Sequence, residues 1–207
     1  MARAFRRKGE RFVAKFDEME RGVVAGLMEQ TREIVAPPDV GDRSETGDAF
    51  EDLVAGLGVS VAGEGQEFVP EPDAVDRDPA LERLLPTAHR GDEQVAAEFR
   101  RLTEHGLRDR KATNLARAIA ALRDASGDRL ELTREQAEAV LVALTDTRLV
   151  LGERLGLRTD EDALTLDERI SALDPDDPAV YAASFYDFLT WMQESLTAAM
   201  LGRGLFG

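Results

Sequence analysis

The stretch from Glu138 to Asp160 reads EAVLVALTDTRLVLGERLGLRTD, and its spacing predicts a helix that organises the fold. On a helix its leucines fall in one apolar stripe, at Leu141, Leu144, Leu151 and Leu155. Arg148 stands in the middle of this stripe. Because a charged side chain in an apolar seam is costly unless it is paired and hydrogen-bonded, the sequence predicts a polar partner for Arg148 on a neighbouring element.

Signals for the ends of this helix lie on both sides of the stripe. Thr133 and Gln136 form a capping box before it, and Gly156 follows its last turn. We therefore expect a helix from about 134 to 155.

Three more long helical segments are predicted around it. One covers 18 to 35, after a capping box. Another starts near Asp92, and because its apolar face switches sides it is expected to break or bend near Leu107 to Thr113. The last begins at Asp177-Pro178 and is apolar over much of its circumference, so we expect it to be central or to lie at a homodimer interface.

Strand patterns are few. Short alternating runs between residues 4 and 16 surround Lys8-Gly9 and predict a hairpin. Residues 129 to 133, RLELT, also alternate and could extend the hairpin into a three-stranded sheet. The predicted fold class is mainly α with a small N-terminal β-sheet (α+β), with about five core helices in a single domain spanning 1–207.

Residues 36 to 80 differ from the rest of the chain. They hold five of the eight prolines, with twelve acidic and two basic residues. We predict an acidic Gly/Pro-rich excursion with one short helix, since Phe50, Leu53, Val54 and Leu57 keep helical spacing. Two interpretations stay open: a solvated acidic loop, or an arm that meets a basic partner.

The overall composition excludes several classes of protein. A net charge of -15 argues against bulk attraction to nucleic acid or anionic membranes. The absence of cysteine excludes disulfides, thiol redox sensing and thiolate zinc sites. Neither a signal-peptide pattern nor an apolar run of membrane-spanning length is present, so a cytoplasmic protein is expected.

The last helix offers partners for Arg148. Asp187 and Glu194 flank Trp191 on one of its faces, so the guanidinium could pair with either acid while it stacks on the indole. This arrangement would be an internal polar lock between two core helices or a pocket for a partner. We favour the lock.

A basic segment provides the second candidate site. Its cations stand out in an acidic chain: Arg100, Arg101, Arg108, Arg110 and Lys111. They predict contact with an anionic partner, with DNA in a winged-helix arrangement, or with the chain's own acidic excursion. DNA is the less favoured of these, because the presumed recognition helix, TNLARAIAALRD, has few side chains for base edges.

Three segments together resemble a known family: EFRRLTEHGLRDRKATNL, LTDTRLVLGERLGL and YDFLTWMQESLTAAML. In this order they are similar to an actinobacterial family long described as a domain of unknown function and now labelled AosR-like oxidative stress regulator. The resemblance implies a small cytoplasmic regulator that works through protein contacts, with a stress sigma factor as the partner class.

Motifs of catalysis are missing. No nucleophile elbow and no phosphate-binding glycine loop occurs, and neither His89 nor His105 is part of an E-x-x-H or H-x-x-x-H pattern on a helix. We predict no catalytic residues, no metal and no cofactor. A regulatory interaction protein is therefore the first hypothesis, a direct DNA-binding regulator the alternative, and an enzyme of unknown reaction the third.

Overall fold

A computed structural model of the chain describes residues 2–36, 78–86 and 93–202, without the side chains of residues 93 to 102. The strands are β1 Arg3–Lys8, β2 Arg11–Lys15 and β3 Arg129–Leu132. The longer helices are α1 Glu18–Val35, α3 Glu93–Arg123, α4 Arg134–Arg154 and α7 Pro178–Met200. The shorter helices are α2 Pro79–Leu84, α5 Asp160–Leu164 and α6 Leu166–Ser171.

The three strands form one antiparallel sheet in the order β1-β2-β3. Gly9, at a φ of 64°, makes the hairpin turn, where a positive φ favours glycine. The inner face carries fully or nearly fully buried side chains, among them Phe12, Leu130 and Leu132. The predicted three-stranded sheet and the mainly helical fold are therefore confirmed.

Helix α4 lies at the centre of the helical layer. It packs against α1, α2, α3 and α7, and α7 also packs along β1. Both predicted ends of α4 are confirmed: Thr133 and Gln136 form the capping box, and Gly156 takes a φ of 72° as the chain leaves the helix. Its buried side chains include Val140, Leu144 and Thr147.

Part of the apolar face of α7 is buried within the protein. Leu189, Met192 and Leu196 are buried, and the ring of Trp191 lies 6.2 Å from that of Phe16 at the end of β2. The helix thus packs on α4 and β1 through these residues, whereas Tyr181 near its start is 52% exposed. Its role in a homodimer stays a prediction.

The break predicted near Leu107 to Thr113, in the helix that starts near Asp92, was wrong. Helix α3 runs without interruption, and Thr113 lies in its interior. The buried residues of its second half begin at Leu115, whereas the described side chains from 103 to 114 are exposed or half-buried. Among the described side chains, this helix therefore enters the core from Leu115 onward.

The segment between Gly156 and Asp177 contains the short helices α5 and α6. Thr159 accepts a hydrogen bond from the backbone of Asp162, whose carboxylate accepts from the backbone of Thr159 in return. This capping box was present in the sequence as a threonine followed three residues later by an acid.

Most of the acidic excursion, including the predicted short helix, lies outside the described residues. Its end at α2 is tied to α4. Asp78 pairs with Arg154 at 2.6 Å, and Glu153 accepts hydrogen bonds from Arg83 at 3.1 Å and from Arg158 at 2.6 Å. Burial acts to raise the pKa of Glu153, but the hydrogen bonds from the two arginines outweigh it and hold the pKa below its ordinary value.

None of the helices within the described ranges has the length and apolar character that a membrane span needs.

Candidate partner-binding surface

Arg148 lies half-buried between α4 and α7 and bonds to neutral groups. Its Nη1 donates to Gln193 Oε1 at 2.9 Å and its Nη2 donates to the Tyr186 hydroxyl at 3.2 Å. The guanidinium carbon also stands 5.0 Å from the centre of the Tyr186 ring, within the range of a cation–π contact. The Arg148 Nε is buried and has no hydrogen-bond partner among the described residues.

Two neighbours complete this network. Gln193 Nε2 donates to Thr145 Oγ1 at 3.1 Å, so Gln193 connects two residues of α4. Gly152 lies one turn beyond Arg148, and a Cβ there would stand 3.7 Å from the edge of the Tyr186 ring. The small residue leaves space for that ring beside the helix backbone.

The predicted partners of Arg148 were wrong. Asp187 and Glu194 are exposed, and neither forms an ion pair with it. Trp191 turns toward the sheet and stacks on Phe188 at 5.8 Å.

The face of α7 that meets α4 explains the difference. Tyr186 and Gln193 each precede a predicted acid by one residue, which is a rotation of about 100° around the helix. The burial of Leu189 and Leu196 fixes this rotation and leaves the acids in solvent.

Beside this network, α4 exposes an apolar strip. Val142 is 47% exposed and Leu149 is 36% exposed, with the exposed Thr145 between them. Since these residues are spaced by three and four, they lie on one face of the helix. We call Val142, Thr145 and Leu149 the α4 strip.

Helix α3 borders the other side of the strip. Its Asn114 donates to the Ala139 carbonyl at 3.1 Å, and its Lys111 bonds to Asp146, so both face α4. Leu107, 37% exposed, lies one turn before Lys111 on the same face of α3. A further apolar side chain therefore stands along this edge of the strip.

The predicted basic segment is not a single open patch. Lys111 Nζ lies 2.6 Å from Asp146 Oδ1, and Asp146 is buried. Arg108 pairs with Glu104 at 2.8 Å and also donates to the carbonyl of Ala36 at 3.2 Å. These two cations thus hold α3 against α4 and the end of α1.

The remaining three cations of the segment are Arg100, Arg101 and Arg110. Arg110 is exposed, and its Nε donates to the Gly106 carbonyl one turn earlier at 3.0 Å. The side chains of Arg100 and Arg101 lie outside the described residues.

Sequence reasoning missed a buried polar group next to the strip. Asp146 and Thr147 are 3% and 1% exposed, and the Thr147 hydroxyl lies 3.4 Å from that of Thr31 on α1. Asp146 Oδ2 is also buried, and the part of the chain that the structure describes provides no hydrogen-bond partner for it. The only signal in the sequence was the run of polar residues at 145–148 within an apolar helix.

A family profile described as a domain of unknown function (DUF2017) matches residues 2–200. The chain belongs to this family.

Curated relatives of this chain have names that describe a function. The oxidative stress regulator AosR of Mycobacterium tuberculosis and that of Mycobacterium bovis are each 31% identical over 140 residues. The match covers 60% of this chain and 59% of each relative, so the chain spans somewhat more than half their length. No solved structure matches the chain.

Proposed function

We propose that this protein is a cytoplasmic regulator in a stress response that acts through protein–protein contacts at the α4 strip. The name of the curated relatives supports the stress role. The observation that carries the contact role is the strip itself, in which Val142 and Leu149 expose apolar surface on the central helix of the fold. Single exposed apolar residues are ordinary on a protein, but two on one face with Leu107 beside them form a surface that a partner can cover.

The surroundings of the strip suit an amphipathic helix of the partner. Apolar anchors at three- and four-residue spacing pack well against a second helix. Polar groups border them, with Arg148 and Gln193 on one side and the Lys111–Asp146 pair on the other. An apolar centre with a polar rim is the usual composition of a protein interface.

The hydrogen bonds of Arg148 make this surface rigid. They link α4 to α7 through Tyr186 and Gln193, so the helices on which a partner would rest keep their relative position. A surface that is ordered before binding loses less conformational entropy when the partner docks.

A sigma factor is the partner class that the family resemblance implies, and the test uses it directly. Purified full-length protein is titrated against each sigma factor of its organism, alone and with core RNA polymerase. Leu149→Arg is expected to weaken binding roughly tenfold or more, as for an anchor residue at the centre of an interface. Leu164→Arg, at an 83% exposed leucine of α5, is the matched control and keeps wild-type affinity.

Two results would contradict this proposal. One is equal affinity of the wild type and Leu149→Arg for the sigma factor that binds. The other is the absence of binding to every sigma factor, with or without core polymerase.

Direct DNA binding through α3 is the second candidate and has weaker support. Arg108 and Lys111, two of the cations it needs, are bonded within the protein. A labelled promoter fragment mixed with the protein alone should keep its mobility at all salt concentrations. A shift that weakens steeply with salt and is lost in Arg110→Ala would favour DNA instead.

A further inference from the structure

The outer face of the sheet is strongly basic in an acidic protein. Six exposed cations point away from the core: Arg3, Arg6 and Lys8 on β1, Arg11 and Lys15 on β2, and Arg129 on β3. The register places them together, because residues that face each other across neighbouring strands share one side of a sheet. We call this surface the basic sheet face.

An irregularity in β1 adds one of these cations. Arg3 is opposite Lys15, whereas Arg6 is opposite Val13, and the register shifts between the two pairs. Residues three apart in a regular strand point to opposite faces. The bulge therefore returns Arg3 to the outer face beside Arg6.

Few acids neutralise this surface. Lys15 pairs with Asp128 at 2.8 Å, and Arg129 pairs with Glu131. In the part of the chain that the structure describes, no carboxylate lies within ion-pair distance of the other four cations, which are Arg3, Arg6, Lys8 and Arg11. Within the described residues these four cations therefore have no acidic partner, while the whole chain carries a charge of -15.

We propose that the basic sheet face binds an acidic segment of a partner protein. Three of these four cations are arginines, and a guanidinium binds a carboxylate through two parallel hydrogen bonds. The face also carries acids among its cations, with Glu131 on β3 and Glu10 in the hairpin turn. A protein segment, unlike a polyphosphate, can match such a mixed pattern with basic residues of its own.

The end of the sheet at the turn provides a site for side chains of that segment. A cleft of about 490 Å³ lies there, and its charged walls are formed by Arg7, Arg11, Arg134, Glu10 and Glu135. Phe12 and Thr133 complete the lining. The mixed charge of this cleft again suits a polypeptide.

Nucleic acid fits this face less well. The three aromatic side chains of the hairpin region, Phe5, Phe12 and Phe16, are buried on the inner side of the sheet, so the described strands offer no ring on their outer face on which a base could stack. Glu10 and Glu131 would repel a continuous phosphate backbone, and so would the net charge of the chain. The basic sheet face is separate from the α4 strip, and this inference does not depend on the function proposed for the strip.

The test measures the binding of a fluorescent peptide of alternating glutamate and alanine to the full chain, by anisotropy, over a range of salt concentrations. The double substitution Arg6→Glu with Arg11→Glu is compared with Arg110→Glu and Arg117→Glu on α3. The control pair changes the net charge equally and also lies at exposed positions. Circular dichroism first establishes that both double variants are folded.

The wild type should bind the peptide with an affinity that falls as the salt concentration rises. The double variant Arg6→Glu with Arg11→Glu should bind at least about tenfold more weakly. The control double variant on α3 should bind as the wild type does. An equal loss in both variants would overturn the proposal, because it would show attraction to overall charge alone. So would an absence of binding at low salt. Tighter binding of duplex DNA of the same total charge would assign the face to nucleic acid.

Discussion

The ammonium of Lys111 lies 2.6 Å from the carboxylate of Asp146, which is buried in the central helix of the fold. The sequence predicts that Lys111 binds a partner, whereas in the structure it joins α3 to α4. It also stands directly beside the α4 strip, so it supports the surface on which a partner is proposed to dock.

Replacing Lys111 by alanine should destabilise the protein by about 3 kcal/mol, because it leaves the Asp146 carboxylate buried and unpaired. Thermal melting of the variant measures the loss. The double variant Lys111→Met with Asp146→Leu is the control and should recover much of the stability, since it removes both charges. An unchanged melting temperature in Lys111→Ala would show that the pair is not formed.

Replacing Arg148 by alanine should cost less, about 1 to 2 kcal/mol, because its partners Tyr186 and Gln193 are neutral and only half-buried. A carboxylate partner would have made the loss roughly 3 to 5 kcal/mol. Urea denaturation distinguishes the two values. A loss in the larger range would mean that an acid pairs with Arg148 after all.

Arg21 is a structural residue that the sequence did not reveal. It is 7% exposed and donates to the carbonyls of Phe16 and Gly127, each at 2.6 Å, and of Ala125 at 3.2 Å. Arg21→Ala should lower the free energy of unfolding by roughly 2 to 3 kcal/mol, because it leaves these carbonyls without their charged donor. Arg123→Ala, at an exposed arginine nearby, should change it little.

Acid should weaken the attachment of α2 through Glu153. The pKa of Glu153 is lowered in the folded protein, so its contribution to stability is complete above the ordinary pKa of a glutamate and is lost as the pH falls through the lowered value. Glu153→Gln should therefore be less stable than the wild type at neutral pH, and the difference should shrink in acid. Glu135→Gln, at an exposed glutamate of the same helix, serves as control. A difference that stays constant with pH would contradict this account.

Local signals predicted the element boundaries well. The capping residues of α1 and α4 and the glycine after α4 act within a few residues of themselves, so Asp17 with Glu20 and Thr133 with Gln136 could be recognised directly. The alternating strands were recognised for the same reason. Local patterns predicted a break in α3 that the structure does not have, because an uninterrupted helix whose described side chains are buried only from Leu115 onward gives the same change of apolar face.

The partners of the charged residues could not be predicted in the same way. Which face of α7 meets α4 depends on how Leu189 and Leu196 are buried in three dimensions, and a rotation of about 100° exchanges Asp187 for Tyr186. The Lys111–Asp146 pair likewise joins residues 35 apart on different helices. The sequence indicated that Arg148 needs polar partners, and the packing of α7 on α4 determines that these are Tyr186 and Gln193.

The central claim is that the α4 strip is the surface that meets the partner, and site-specific photo-crosslinking in cells tests it most directly. Benzoylphenylalanine replaces Leu149 in one strain and Leu164 in a control strain, and crosslinked products are identified by mass spectrometry after oxidant treatment. The account predicts a crosslink from position 149 to a sigma factor and none from position 164. Crosslinks to the same protein from both positions, or none from position 149, would contradict it.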